Sequence, residues 1–455
     1  MSSTATTSAF RTWEDPAEVR ARGKALRDKV SRRAHAEWSV DLSRPDPVAV
    51  IDKGNVGRIP DLVPLRIGRM IESPFAFLRG AAAVMAEDLR GTPVTGPDAQ
   101  ICGDAHVANF GFFGSAERQL VMDVNDFDES LRGPWEYDLK RLVASVVVAG
   151  RQAGVREALC RDSAADAVRA YRHTVDTIAG MGVLRAWQVK EDELFATVDV
   201  EQLDATLRRV AEKSRRNTSG KVASRWTQRI ERSRWKFIEQ PPVLREVDPT
   251  TAGEVVAGLS TYATTVHDER RWLLGRYAVS DVAFRISGLG SVGLRTYIVL
   301  LHGNGEDPLI LQVKEARPPA LAPHLPYEPP DHEGHRTIWA QRLMQTTSDI
   351  LLGWTSIRGR PYYVRQFRDM KGSVELESLP GNEIDDYARL VGALLARAHS
   401  RSLDARLLAG YCGSGDTLDH ALQRFAVAYA DQTEADHAAL VSAVKAGRLP
   451  AETGV

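Results

Sequence analysis

Residues 282–369 alternate short apolar, β-branched and aromatic runs with glycine-rich turns, and helical sequence lies on both sides. "AFRISGLGSVGLRTYIVLLHG", "PLILQVKEA" and "PYYVRQF" are short and rich in strand-forming side chains. Strands so close in sequence pair most simply as antiparallel neighbours, so the block predicts a small antiparallel sheet with one helix. Around it, residues 14–38, 155–182, 201–216, 254–275 and 383–402 carry helical patterning. The expectation is an α+β chain, a small sheet set against a mainly helical body.

The glycines narrow this further. Gly288, Gly290 and Gly293, with Ser291 among them, have GxGxxG spacing. A dinucleotide-binding turn would open into a helix, but "LRTYIVLL" follows, a poor helix start and a good strand. Strand, glycine turn, strand is the arrangement of the flap that protein kinases fold over ATP phosphates, where backbone N–H groups approach the anion. Such a flap needs a lysine on the next strand, and "LILQVKEA" supplies Lys314. The alternative is an ordinary hairpin whose lysine is solvated.

A second stretch, "GDAHVANFGFFGSAERQLVMDVNDFDE" (103–129), gathers Asp104, His106, Asn109, Asp123, Asp126, Asp128 and Glu129 on either side of an apolar run. Calcium-loop spacing is absent, and one His and one Cys among carboxylates disfavour zinc. Oxygen ligands suit Mg²⁺, which takes a few carboxylates and completes its shell with phosphate and water. Kinase-type phosphotransfer uses an Asp that orients the acceptor hydroxyl, an Asn five residues on, and a metal-bridging Asp after a strand. Asp104, Asn109 and Asp126 have that spacing, with Asp128 as a further metal ligand. His106 reads as a brace for the loop, and Asp123 and Glu129 as solvated or hydrogen-bonded turn residues.

"GDAHVAN" resembles the HGDxHxxN loop of aminoglycoside phosphotransferases and choline-kinase-like enzymes. "NDFDESLRGPWEYDL" resembles their IDFxDxxxGxPxxDLA segment. The resemblance implies a two-lobe protein-kinase-like fold that uses ATP and Mg²⁺, with a small hydroxylated acceptor. It makes Asp104 the catalytic base, Asn109 and Asp126 metal ligands, and Asp138 the residue that steadies the loop. Cys102 departs from it, standing where the loop's leading His is expected. From about residue 20 to 450 the chain also resembles an uncharacterised bacterial family of unknown function, through "LVPLRIGRMIESPFAFLRGAA", "GDAHVANFG", "NDFDE", "GPWEYDLKRL", "GSVG", "LQVKEA", "YVRQFRDMKGS" and "FAVAYADQTEAD".

The order of the parts is inverted relative to an ordinary kinase, because Asp104 and Asp126 precede Gly288 and Lys314. The late segment "DDYARLVGALLARAHSRS" resembles the helix that precedes the catalytic loop in aminoglycoside phosphotransferases. Together these imply a circular permutation; two unrelated modules are the alternative. The expected layout is a tail at 1–20, helical segments at 21–150, 151–280 and 370–455, and an ATP-gripping sheet lobe at 282–369.

In kinases a helix Glu orients the strand lysine. The stretch "EGHRTIWAQRLMQTTSD" offers Glu333, Gln341 and Gln345, of which Gln341, mid-helix, is taken as the partner; Glu315 beside Lys314 points to the opposite face. Arg66, Arg69 and Arg79, ahead of the catalytic loop, suit bidentate contacts to phosphate or carboxylate. The basic run 213–236 reads as a solvated helical face, with Trp226 and Trp235 packing in the core. A net charge of −1 supplies no field to recruit nucleic acid or an anionic membrane. Three scattered cysteines and the lack of an 18-residue apolar run suit a cytoplasmic protein. The reading is an ATP- and Mg²⁺-dependent phosphotransferase acting on a small-molecule hydroxyl. A nucleotide-binding pseudokinase and an AMP transferase are the alternatives, and the oligomeric state stays open.

Overall fold

The computed structural model describes residues 12–41, 43–198, 200–231, 234–286, 288–304 and 307–454. Most of the expected tail therefore lies outside the described residues. Its last part is not a tail: Asp15 caps a helix, Pro16–Ala25, that packs against the helix Ala405–Cys412. The predicted helix over 14–38 stops at Ala25 and continues as two 3₁₀ turns.

The segment around the acidic cluster forms two hairpin-like pairs. Strand β1 (Asp98–Ile101) pairs with β4 (Leu131–Pro134), and β2 (Phe110–Gly114) with β3 (Leu120–Val124), all antiparallel. The apolar run expected as one strand is thus a hairpin. A separate hairpin, β5 (Thr227–Glu231) with β6 (Arg234–Phe237), occupies half of the basic run that was expected to be helical. Trp226 packs 5.6 Å from Phe367 and Trp235 stacks 5.5 Å from His302, so these aromatics hold the hairpin down.

The main sheet contains β7 (Leu244–Glu246), β8 (Ala278–Arg285), β9 (Thr296–His302), β10 (Pro308–Glu315), β11 (Gly353–Ile357) and β12 (Arg360–Gln366), in the order β11-β12-β10-β9-β8-β7. Every neighbouring pair is antiparallel. Side chains alternate between its faces, as the pleat requires. Val299, Leu311 and Val313 pack with Val255 and Tyr262; Ile298, Leu300 and Ile310 pack with Val222, Ala223 and Phe367. The sheet therefore begins at Leu244 and not near 282. The sequence between β7 and β8 belongs with it.

The helices that position the site are α1 (Val63–Met70), α2 (Pro74–Gly80), α3 (Trp135–Gln152), α4 (Glu157–Ala179), α5 (Pro249–Ala263), α6 (Glu333–Met344), α7 (Gly381–Ser400) and α8 (Thr417–Lys445). Helix α5 covers one sheet face against β11, and α6 packs on β11 and β12. The single helix expected over 254–275 breaks after Ala263, where Thr264 and Thr265 turn their hydroxyls back to the carbonyls of Thr261 and Tyr262, and resumes at Asp268. Helices α3, α4, α7 and α8 share the largest apolar cluster, and α3 is buried on almost every side. The architecture is α+β with small antiparallel sheets. Among the described residues, no helix is long and apolar enough to cross a membrane.

Candidate functional site

The loop after β1 turns sharply at Gly103, whose φ is +75° and whose missing side chain lets the carbonyl of Glu129 come close. Asp138, at the start of α3, accepts from the N–H groups of Cys102 (2.6 Å) and Gly103 (2.8 Å). Nε2 of His399 on α7 lies 3.2 Å from the same carboxylate, and Nδ1 of His399 is 2.8 Å from the Tyr171 hydroxyl. Three elements distant in sequence therefore fix one turn. Past it, Nδ2 of Asn109 donates to the carbonyl of Asp104 (2.6 Å), leaving Oδ1 as that amide's acceptor.

Asp104 is half-buried and ion-paired to Arg141 of α3, whose guanidinium also donates to the carbonyl of Leu78 in α2 (2.9 Å). Burial pushes its carboxyl up, Arg141 pulls it back, and Glu129 and Asp126 raise it further, to about 7. His106 Nε2 lies 3.8 Å from Asp104, and His106 Nδ1 is buried without a partner. Burial, with Arg141 and Arg79 nearby, holds that imidazole far below its usual range and keeps it neutral.

Asp126 and Asp128 lie in the turn after β3, where Oδ1 of Asp126 accepts from the N–H of Asp128 (3.3 Å). Asp128 is ion-paired to Lys314 of β10 and accepts from the Tyr363 hydroxyl of β12 (2.7 Å). The β10–β12 register sets Lys314 opposite Tyr363. Burial opposes both charges, but the pair overrides it, lowering the Asp128 carboxyl and raising the Lys314 ammonium.

The strand lysine thus has an aspartate partner. Gln341, expected in that place, instead donates to Gln345 (3.1 Å), and Gln345 to the carbonyl of Val124 (2.7 Å). Glu315, on the opposite face from Lys314, pairs with Arg295 and Arg360 (both 3.2 Å).

Residues 288–294 form the turn between β8 and β9, so the glycines open into a strand and not a helix. Gly288, Gly290 and Ser291 line one side of a cavity of about 440 Å³. Across it stand Asp104, His106, Asn109, Asp126, Asp128 and Glu129. Arg66 of α1 and Arg79 of α2 also line it; Arg69 does not and instead lies near Arg285.

Residues 58–443 match the model of a family described as "Uncharacterized protein conserved in bacteria (DUF2252)". The chain belongs to that family. No curated protein and no solved structure matches it.

In this DUF2252 protein the cavity also holds groups that no local motif announces. Arg58 donates to the carbonyls of Gly290 (3.0 Å) and Val292 (2.6 Å), tying the glycine turn to the segment before α1. Arg317, just after β10, donates to the carbonyl of Val56 (2.8 Å). Glu129, expected as a solvated or hydrogen-bonded turn residue, is the hydrogen-bonded one: it accepts from the N–H of Ala320 and also faces the cavity, its carboxyl raised by burial. Asp123, given the same reading, is not in a turn: it lies buried on β3, ion-paired to Arg397 of α7. Such pairings join residues far apart in the chain, and only the fold brings them together.

Divalent ions would find hard oxygen donors here in Asp126 and Asn109 Oδ1. Among the described residues, no three His, Cys, Asp or Glu side chains form a ready-made metal cluster. The donor set fits an ion that borrows phosphate and water oxygens, as Mg²⁺ does.

Proposed function

We propose that this protein is an ATP- and Mg²⁺-dependent phosphotransferase acting on a hydroxyl of a small molecule, on a circularly permuted, protein-kinase-like two-lobe fold. The observation that carries the reading is convergence. Asp104, Asn109 and Asp126 share one cavity with a glycine turn more than 150 residues away, and Lys314 reaches that cavity's wall through Asp128. Permutation is supported by α7 and the residues just after it, which follow the sheet in sequence yet meet the support of the catalytic turn, through His399 on Asp138, and the strand before it, through Ser402 Oγ accepting from the Gln100 N–H (2.7 Å).

In this reading Asn109 and Asp126 hold the metal, the glycine turn and Lys314 hold phosphate oxygens, and Asp104 orients the acceptor hydroxyl. Mg²⁺-ATP, when bound, supplies the γ-phosphoryl group: the acceptor oxygen–phosphorus bond forms, the bond to the ADP oxygen breaks with its electron pair going to ADP, and the hydroxyl proton passes to Asp104. Arg141 keeps the Asp104 carboxylate in place, and Asp138 keeps the loop that carries it.

A second reading, a nucleotide-binding pseudokinase, is favoured by the pairing of Lys314 with Asp128 where kinases use a helix carboxylate. Incubation with γ-labelled and α-labelled ATP and a metabolite pool separates the cases. Label transferred from the γ position supports phosphotransfer, label from the α position AMP transfer, and binding without transfer the pseudokinase. Asp126→Asn is expected to lower metal-dependent ATP binding and turnover together. Asp104→Asn is expected to leave binding nearly intact while cutting turnover by roughly 10²–10⁴, the usual worth of a positioned base. Loss of ATP binding in Asp104→Asn with Asp126→Asn unaffected would reverse these roles.

A further inference from the structure

The cavity wall on the α1–α2 side is built of cations that have no carboxylate partner. Lys53, Arg58, Arg66, Arg79 and Arg317 all line it, and among the described residues none of the five is in an ion pair. Elsewhere in the chain arginines are commonly paired, even when buried, as Arg44 and Arg172 are. Arg58 and Arg317 donate only to backbone carbonyls. Arg66, only 4% exposed, donates to Asn55 Oδ1 and the Gly80 carbonyl (both 2.8 Å), and its Nε has no partner. The Arg79 guanidinium stands over the Phe75 ring, 5.8 Å from its centroid.

The cluster is electrostatically strained. Burial and the neighbouring positive charges depress Arg66 far below its ordinary value, and burial and Arg317 lower Arg58 to about 10 although Glu129 and Glu315 offset part of that. Uncompensated buried charge is costly, and an anion in the cavity would relieve it.

Position decides which anion. Arg79 and His106 both contact the Phe75 ring, and His106 lies beside Asp104. Arg66 is tied to Gly80, the residue after Arg79. Arg79, with Arg66 behind it, therefore borders the proposed catalytic base, whereas Arg58 is tied to the glycine turn and Lys314, expected to hold nucleotide phosphate, is set with Asp128 on the sheet side.

We propose that the acceptor is itself an anion, a small hydroxylated phosphate or carboxylate, held by Arg66 and Arg79 with Arg58 and Arg317 behind them. This rests on the phosphotransferase reading for the acceptor's role. It separates the protein from the aminoglycoside enzymes whose loop it resembles, since an aminoglycoside is a polyamine and this wall would repel it.

The test uses the full chain and four probes: the non-hydrolysable ATP analogue AMP-PNP with Mg²⁺, glycerol 3-phosphate, glycerol, and spermidine. With Mg²⁺-AMP-PNP saturating, glycerol 3-phosphate is expected to bind, and glycerol and spermidine are not. Arg79→Gln is expected to weaken glycerol 3-phosphate about tenfold or more, the worth of a charge-assisted contact, and to leave AMP-PNP affinity within about threefold. Arg79 is half-buried and, among the described residues, its side chain makes no hydrogen bond, so that variant should fold even if Arg66→Gln does not. AMP-PNP binding with no arginine-dependent binding of glycerol 3-phosphate overturns the anionic acceptor and leaves the phosphotransferase reading standing. Competition between the two ligands also overturns it, because the arginines would then be holding nucleotide phosphates. Arginine-dependent binding of glycerol 3-phosphate without any AMP-PNP binding overturns the phosphotransferase reading instead, with the anion site retained.

Discussion

Asp104 owes its position to a residue with no side chain. Gly103 sits at φ +75°, a region costly for other residues, and a Cβ there would run into the Glu129 carbonyl. Gly103→Ala is therefore expected to lower stability by about 1–3 kcal/mol, the usual range for strain of this kind. It should also displace Asp104, so urea denaturation and turnover would both fall; unchanged stability would mean the turn tolerates another conformation. At this scale the sequence was informative where chemistry is local. The spacing of Asp104, Asn109 and Asp126, the glycine turn and Lys314 could all be seen; Gly288, Gly290 and Ser291 line one cavity with the three polar residues, Gly293 does not, and Lys314 meets it through Asp128. Gln341 shows the limit: a helix offers several faces, and its sequence does not say which one will meet Lys314. Arg58, Arg317 and Arg141 were missed because each comes from an element whose docking no short motif encodes.

Between elements, the late helix and the early hairpin are joined by a buried charge pair. Asp123 of β3 and Arg397 of α7 are ion-paired with side chains 4% and 1% exposed, and Asp123 also accepts from the Val124 N–H (2.8 Å). Removing one partner of such a pair costs about 3–5 kcal/mol because a charge stays buried alone, while removing both costs far less. Arg397→Met is expected to show that loss in denaturant, and Arg397→Met with Asp123→Asn to recover a large part of it. Additive losses would mean the contact does not couple α7 to β3. The helical and strand segments themselves were mostly recognisable from periodicity, but the hairpin β5–β6 was taken for helix. Its charged, aromatic-bearing sequence has no strong period, and packing of Trp226 and Trp235 against Phe367 and His302 decides the outcome.

Across the whole molecule, the class of fold could be read from the alternation of strand-rich and helical sequence, but not the extent of the sheet, since β7 is only three residues long. The last part of the expected tail at 1–20 instead begins the helix Pro16–Ala25, and the segment that follows, read as helical, contributes to the helical core. His35 is its anchor there: it is fully buried, its Nε2 lies 2.6 Å from the Tyr411 hydroxyl, and its ring meets Trp135 edge-on at 6.4 Å. Burial, with Lys140 nearby, lowers its pKa from 6.5 to about 3. Above pH 6.5 the ring is neutral in both folded and unfolded chains, and its titration has no effect on stability. Below that, the unfolded chain takes up a proton that the folded one refuses, so folding weakens by about 1.4 kcal/mol per pH unit until the folded value is reached. His35→Gln retains a group able to bond Tyr411 but cannot titrate. Denaturation measured from pH 7 to pH 4 should therefore show the wild type losing stability faster on acidification, with the curves parallel above pH 6.5. Parallel curves throughout would place His35 in water-like surroundings and remove it from the core.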